Sequence, residues 1–171
     1  MTSPRSNIVL VGMPGSGKST VGVLLSKLTR RGFVDTDVLI QSSTGRALQD
    51  IVDEDGYLAL RRIEEDVLVG LSPRNHVIAT GGSAVYSERA MEHLKAAGVV
   101  VFLKVNMDTL LARVKDYETR GLAKRKDQTL ADLFAERSAL YTKYADITIS
   151  CDGTGHDAVC SMIVDAIENL C

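Results

Sequence analysis

The fold of this chain is indicated by one glycine-rich stretch, Gly12-Met-Pro-Gly-Ser-Gly-Lys-Ser-Thr20. It follows directly on the apolar run Ile8-Val-Leu-Val11, which has the composition of a buried strand, and it leads into a helical pattern at 18–30. Glycine, four residues and then Gly-Lys-Ser, placed between a strand and a helix, is the pattern of a phosphate-binding loop. Backbone N–H groups and the helix N-terminus surround phosphate oxygens in such a loop. The alternative is a tight strand-to-helix turn with a solvated lysine.

This loop predicts a site for ATP and Mg²⁺. Lys18 is expected to bridge the β- and γ-phosphates, and Ser19 is expected to ligate the Mg²⁺ ion. The other cofactor-binding candidates in the loop are Gly12, Pro14, Gly15, Ser16, Gly17 and Thr20. A GTPase is not expected, because no Asn-Lys-x-Asp stretch that would read guanine occurs in the sequence.

Short β-branched runs alternate with longer helical patterns along the chain of 171 residues. The runs lie at 7–11, 33–36, 76–80, 98–105 and 146–150; the helical patterns lie at 18–30, 47–71 with a break near Asp55-Gly56, 87–96, 107–116, 129–145 and 156–170. The alternation predicts an α/β fold, a five-stranded parallel sheet with helices on both faces. The length and the hydrophobic share of 45% indicate one domain, residues 1–171.

Composition and charge exclude several classes of partner. A net charge of −2 provides no global basic field for nucleic acid or an anionic membrane. The longest apolar runs are too short to span a bilayer, and the N-terminal residues lack the hydrophobic stretch of a signal peptide. The cysteines, Cys151, Cys160 and Cys171, show no metal-binding or disulfide spacing, and Cys160 is expected in a helix core. We therefore expect a cytoplasmic protein that acts on a small molecule. A monomer is also expected, although no sequence feature distinguishes a buried helix face from an interface.

Two carboxylates come at the end of the second predicted strand, in Phe33-Val-Asp-Thr-Asp37. Residues i and i+2 of a strand point the same way, and strand ends face the ligand crevice of an open α/β sheet. Asp35 and Asp37 are therefore expected to face the phosphate-binding loop. One can anchor the Mg²⁺ shell, and the other can orient or deprotonate an acceptor hydroxyl. The alternative for Asp37 is that it caps the turn at 38–41.

The order of the motifs resembles the shikimate kinase family from end to end. The stretches that carry the resemblance are GMPGSGKST at 12–20, FVDTD at 33–37, STGRALQDIVDEDGYLALRRIEEDVL at 43–68, VIATGGSAV at 77–85, an arginine-containing loop, and ERSALY at 136–141. The resemblance implies a P-loop fold of the nucleoside-monophosphate-kinase-like branch. It also implies transfer of the γ-phosphoryl group of MgATP to the 3-hydroxyl of shikimate, in aromatic amino-acid biosynthesis.

The resemblance assigns the two aspartates to different partners. It implies that Asp35 lies near Mg²⁺ and that Asp37 binds the substrate hydroxyls or acts as the base. Gly81 and Gly82 end the third predicted strand, where glycines let backbone N–H groups approach a ligand closely, and we expect both to contact the substrate.

Two arginines match the positions that bind the substrate carboxylate in the family. They are Arg61, in the helical pattern, and Arg137, in ERSALY. A guanidinium fork suits a carboxylate, and Glu64, one helical turn from Arg61, is expected to orient it. The alternative for Arg61 is a salt-bridged helix surface.

The polar loop at 117–128 and its N-terminal flank, together about 113–128, are expected to form a mobile lid. Residues 113–126 hold two acidic residues against six basic ones, Arg113, Lys115, Arg120, Lys124, Arg125 and Lys126. Phosphoryl transfer needs cations around the transferred group and exclusion of water, so a basic lid fits the chemistry. By the resemblance, Arg113 flanks the adenine and Arg120 reaches the phosphates and the substrate.

Three positions depart from the family's pattern. Ser83 stands where a third glycine is usual. Its hydroxymethyl group is harmless if the backbone keeps φ negative there, and otherwise it can crowd the pocket or add a hydrogen bond. Gly121 and Ala139 stand where proline is usual, and the loss of proline at Gly121 predicts a more flexible lid. These departures leave two alternatives open: a relative that phosphorylates gluconate or a homoserine-like hydroxyl compound, and a non-catalytic nucleotide-binding module.

Overall fold

A computed structural model describes residues 5–114 and 121–170 of the chain. Strand β1 (Asn7–Val11) lies at the centre of a parallel sheet, between β3 (His76–Ala79) and β4 (Gly98–Lys104). Strands β2 (Gly32–Asp35) and β5 (Ile147–Ser150) form the edges, and the order is β2-β3-β1-β4-β5. The predicted α/β fold with a five-stranded parallel sheet is confirmed.

The central strand β1 is buried along its whole length. All five residues of β1 are buried, although successive side chains point to opposite faces of the sheet. Both faces of the sheet are therefore covered at this point, as an alternation of strands and helices requires.

Helices connect the strands and pack on the sheet. Their bounds are α1 (Lys18–Thr29), α2 (Thr36–Thr44), α3 (Leu48–Asp55), α4 (Tyr57–Gly70), α5 (Glu88–Ala97), α6 (Met107–Arg113), α7 (Leu130–Tyr144) and α8 (His156–Glu168), with a 3₁₀ turn at Ala84–Tyr86. Helix α1 packs against α8 and against β2 and β3, whereas α5 and α7 pack against β4. No helix in these described ranges is both long and apolar enough to cross a bilayer.

The strand order places a crevice beside the end of β1. From β1 the chain passes to β2 and β3 on one side, and then crosses to β4 and β5 on the other side. At such a reversal the loops that leave neighbouring strand ends diverge and open a ligand site. The phosphate-binding loop, residues 12–17, leaves β1 at this point.

Helix α2 is absent from the sequence-based prediction. Its residues are rich in β-branched and hydroxyl side chains, which have low helix propensity and hide the element. Tertiary contacts form the helix instead: Asp35 caps its N-terminus and Ile40 is fully buried. The predicted strand at 33–36 consequently ends at Asp35, and Thr36 begins the helix.

The other predicted elements are found with small shifts of their ends. The expected break in the pattern at 47–71 is confirmed, because Gly56 adopts φ 88° between α3 and α4. Helix α6 ends at Arg113 rather than at 116, since Val114 has an extended backbone. Cys160 is buried in α8, as predicted, whereas Cys171 lies outside the described residues.

Candidate active site

A cleft of about 780 Å³ opens at the carboxyl edge of the sheet. It is bordered by the phosphate-binding loop, by α2, α3 and α4, by the loop after β3, by residues 121–123 of the lid, and by α7. The sheet order therefore brings together motifs that are far apart in the sequence, and the cleft contains most of the predicted site residues.

The phosphate-binding loop winds tightly into the start of α1. Gly15 and Gly17 adopt φ 84° and 96°, the left-handed region that favours glycine, and Gly17 occupies the N-cap of the helix. Lys18 Nζ donates to the carbonyl oxygens of Gly12 and Met13 at 2.6 and 2.9 Å. Burial lowers the pKa of Lys18 to about 8, against the opposing effect of the Asp37 charge.

The loop has the donors that a polyphosphate needs. No side chain caps α1, and no acidic residue lies in its first turn, so its N-terminal N–H groups and dipole are available to an anion. The buried hydroxyl of Ser16 has no hydrogen-bond partner among the described residues. Together with the buried Lys18 ammonium group, these features fit the phosphates of ATP.

Ser19 and Asp35 form a hydroxyl–carboxylate pair beside this loop. Ser19 Oγ donates to Asp35 Oδ2 at 2.6 Å, while Asp35 Oδ1 accepts from the backbone N–H groups of Asp37 and Val38. The described residues contain no cluster of three or more His, Cys, Asp or Glu side chains that could hold a metal ion alone. Two protein oxygens completed by phosphates and water are, however, a usual arrangement for Mg²⁺. The pair therefore fits that ion.

Asp37 lies in the first turn of α2 and not on the strand, so the prediction that both aspartates project from one strand is wrong. The alternative of Asp37 as the cap is also wrong, since Asp35 provides the cap. Asp37 nevertheless borders the cleft. Burial raises the pKa of its carboxyl, and the positive charge of Lys18 opposes the rise.

Glu64 is a second carboxyl in the cleft. It is 4% exposed, accepts the Ser83 hydroxyl hydrogen bond on Oε2, and has no partner for Oε1 among the described residues. Burial raises the pKa of Glu64 to about 7, while the Ser83 hydrogen bond opposes the rise. Glu64 therefore pairs with Ser83, and the prediction that it orients Arg61 is wrong. Among the alternatives for Ser83, the added hydrogen bond is the one observed.

The glycines after β3 leave room for these groups. A Cβ atom on Gly81 would lie 2.7 Å from both Asp37 Oδ1 and Glu64 Oε1. A Cβ atom on Gly82 would lie 2.6 Å from Arg137 Nη1 and 2.8 Å from Pro14 Cδ. Any side chain at either position would displace part of the cleft wall, which accounts for glycine at both.

Arg61 on α4 and Arg137 on α7 converge on one oxygen at the edge of the cleft, and Arg137 itself borders the cleft. Nη2 of each donates to the carbonyl oxygen of Ala123, at 3.1 and 3.2 Å respectively. Arg137 is 1% exposed, and burial and the neighbouring charge of Arg137 both lower the pKa of Arg61. Arg61 makes no ion pair within the described ranges, so it is not part of a salt-bridged helix surface.

The described part of the lid is anchored beside these arginines. The N–H of Gly121 donates to Gln49 Oε1 at 2.6 Å. Gly121 adopts φ 65°, and a Cβ atom there would lie 2.5 Å from Leu48 Cβ. Glycine therefore permits close packing on α3 at this position. Arg120 and Lys115 lie outside the described residues, whereas Arg113 borders the cleft from the end of α6.

Three groups at or beside the cleft were not predicted from the sequence. The Ala123 carbonyl, the ring of Tyr86 under Arg61, and His156, whose Nε2 lies 3.4 Å from the Cβ position of Gly17, are all absent from the predicted site. Each lies in the site through tertiary proximity and belongs to no local motif, so the sequence held no signal for it.

Comparison with known proteins supports the resemblance to the shikimate kinase family. The shikimate kinase family model matches residues 14–168. The chain is 35% identical over 170 residues to the shikimate kinase of Pasteurella multocida, covering 97% of each chain. The structure of shikimate kinase from Acinetobacter baumannii in complex with shikimate is similar with a TM-score of 0.87 at 34% identity, covering 96% of this chain and 94% of that one.

A second solved structure agrees. Shikimate kinase from Aquifex aeolicus is similar with a TM-score of 0.82 at 36% identity, covering 95% of this chain and 96% of that chain. The family match, the near full-length relatives and the cleft agree with the resemblance predicted from the motifs. The chain belongs to the shikimate kinase family.

Proposed function

We propose that this protein transfers the γ-phosphoryl group of MgATP to the 3-hydroxyl of shikimate, giving shikimate 3-phosphate and ADP. The observation that carries the proposal is the convergence of Arg61 and Arg137 on one oxygen, in the cleft that also contains Lys18 and Asp37. Two converging guanidinium groups, Arg137 buried and Arg61 half-buried, are a site for an acceptor that carries a carboxylate.

The phosphate-binding loop provides the nucleotide end of the reaction. When bound, MgATP supplies the transferable phosphoryl group and the cation that neutralises its charge. Lys18 has a pKa of about 8 and is mostly protonated at neutral pH, so its ammonium group is available to bind phosphate oxygens in place of the two loop carbonyls. Ser19 and Asp35 would hold the Mg²⁺ ion through their paired oxygens.

The arginine pair provides the acceptor end. In the free protein both guanidinium groups share one neutral carbonyl oxygen, that of Ala123. A carboxylate compensates two positive charges better than a carbonyl does, because its hydrogen bonds are charge-assisted and each arginine can use two N–H groups. Arg61 and Arg137 therefore favour an acid such as shikimate over a neutral sugar.

The two carboxyl groups beside Gly81 lie where an acceptor hydroxyl can be oriented. Asp37 has a raised pKa, and Glu64 has one oxygen without a partner among the described residues. Phosphoryl transfer proceeds largely by positioning and charge neutralisation, so a carboxylate that accepts the hydroxyl hydrogen directs the nucleophile. We assign this role to Asp37, which can also take the proton as the bond to phosphorus forms.

The arginine pair can be tested by substitution on α4. We expect Arg61→Ala to raise the KM for shikimate about 10- to 100-fold, the loss of a charged hydrogen bond. The KM for ATP should change little, since Arg61 lies outside the phosphate-binding loop. The matched control is Arg62→Ala, because Arg62 is the exposed neighbour on the same helix. Equal effects of the two substitutions would contradict the proposed role.

The assembly and the location of the protein stay predictions from the sequence. We propose that it acts as a monomer in the cytoplasm on a small molecule, without a nucleic-acid or membrane partner, for which a net charge of −2 provides no basic field. Sedimentation at working concentration tests the first statement, and a single species at the mass of one chain, 18.5 kDa, is expected.

A further inference from the structure

The guanidinium group of Arg61 lies over an aromatic ring that no sequence motif predicts. Arg61 Cζ is 3.6 Å from the centre of the Tyr86 ring, a stacking distance, and 5.0 Å from the centre of the Tyr57 ring. Stacking of this kind combines cation–π attraction with contact between two planar groups. Of these two rings, Tyr86 is the closer to Arg61, the residue that the proposed function assigns to the acceptor carboxylate.

Few other contacts restrain Arg61. Its Nε atom is buried without a hydrogen-bond partner among the described residues, and its described hydrogen bond is the one to Ala123. Glu64, the residue expected to orient it, is bonded to Ser83 instead. A single hydrogen bond lets a guanidinium plane rotate, whereas a ring at stacking distance does not.

Buried neighbours hold the backbone of Tyr86 in place. It ends the 3₁₀ turn that follows the Gly81-Gly82-Ser83 loop, and the other residues of that turn, Ala84 and Val85, are 2% and 1% exposed. Arg137 also lies near the ring, with Cζ 5.5 Å from its centre. The electron-rich face of one tyrosine thus partly offsets the repulsion between the two arginines.

We propose that Tyr86 is the positioning residue of the acceptor site: its ring holds Arg61 in the orientation that binds the acceptor carboxylate. The proposal rests on the proposed function and adds to it a residue that does not itself need to touch the substrate. It also assigns a use to the segment directly after the glycine loop, so that one stretch of chain contributes both the close approach at Gly81 and the support of Arg61.

The first test removes the ring. Tyr86→Leu is expected to raise the KM for shikimate about 3- to 30-fold, the loss of a half-buried cation–π contact, with little change in kcat or in the KM for ATP. Tyr86→Phe keeps the ring and should remain within about twofold of the wild type, since phenylalanine also offers an aromatic face. Tyr86→Met fills similar space without a π face and replaces the leucine variant if that one fails to fold.

A double-mutant cycle with Arg61→Ala separates positioning from a general structural effect. If Tyr86 acts through Arg61, Tyr86→Leu should leave the KM of the Arg61→Ala protein unchanged. An equal rise in KM in both backgrounds would overturn the proposal, and so would an unchanged KM in the single Tyr86→Leu variant. Failure of the proposed function looks different, because the wild-type protein would then release no ADP in response to shikimate.

Discussion

Replacing Glu64 with glutamine should stabilise the protein at neutral and alkaline pH. Glu64 is almost fully buried, and burial raises the pKa of its carboxyl from the usual 4.5 to about 7. A rise of this size corresponds to about 3 kcal/mol of folding free energy that the ionised carboxylate costs. Glutamine has nearly the same shape, can still accept the Ser83 hydrogen bond, and carries no charge.

The sign of the effect follows from proton uptake. Between pH 4.5 and about 7 the folded protein keeps a proton on Glu64 that the unfolded chain has lost. The stability that this proton provides is complete below pH 4.5 and is lost as the pH rises through about 7. The charged groups that face Glu64 are Asp37 from α2, Lys18 from α1 and Arg137 from α7. Lys18, with its lowered pKa of about 8, acts with the opposite sign and only above that pH.

Urea unfolding at pH 4.5, 6 and 7.5 measures the effect, with the wild type and Glu64→Gln compared at each pH. The difference in free energy of unfolding, variant minus wild type, should be about 3 kcal/mol larger at pH 7.5 than at pH 4.5. Parallel pH profiles for the two proteins would refute the reasoning, since they would mean that Glu64 ionises at its ordinary pKa. Glu65→Gln, which removes the neighbouring carboxylate on α4 that accepts a hydrogen bond from Ser87, is the matched control variant.

Two further substitutions test other parts of the cleft. Lys18→Ala should abolish phosphoryl transfer while the far-ultraviolet circular dichroism spectrum stays unchanged, because it removes the charge that bridges the phosphates; near-normal ADP release would contradict that role. Gly121→Ala should lower the urea midpoint by the equivalent of about 2–4 kcal/mol, since φ 65° and the 2.5 Å approach to Leu48 both oppose a side chain. Gly45→Ala is its control, with φ 66° and no atom within 4 Å of the Cβ position, and should cost only about 1 kcal/mol. Equal losses would show that contact with Leu48 adds nothing.

The parts of the fold that the sequence predicted are those encoded locally. The run Ile8-Val-Leu-Val11 followed by a glycine-rich loop and a lysine specifies a strand, a turn and a helix start within a few residues. Helix α2 escaped prediction because its residues favour other conformations and only the Asp35 cap and the burial of Ile40 make it helical. Asp37 therefore lies in the first turn of α2 and not on the predicted strand.

The parts of the site that could not be predicted depend on distance in the folded chain. Ser83 and Glu64 are 19 residues apart, and Arg61 is 62 residues from the Ala123 carbonyl that it contacts. No periodicity links such positions. The charge pattern on α4 therefore predicted that Glu64 faces Arg61, whereas in the structure Glu64 faces Ser83. The stacking of Tyr86 on Arg61 is of the same kind, since it needs the loop after β3 and the helix α4 to be packed together.

The most direct test of the account is ADP release from MgATP with shikimate, gluconate, homoserine or no acceptor, followed by identification of the phosphorylated product. We predict strong release with shikimate, background release without acceptor, and shikimate 3-phosphate as the product. Release with gluconate or homoserine but not with shikimate would contradict the assigned acceptor while keeping the kinase. No acceptor-dependent release from correctly folded protein would contradict the kinase itself and favour a nucleotide-binding module.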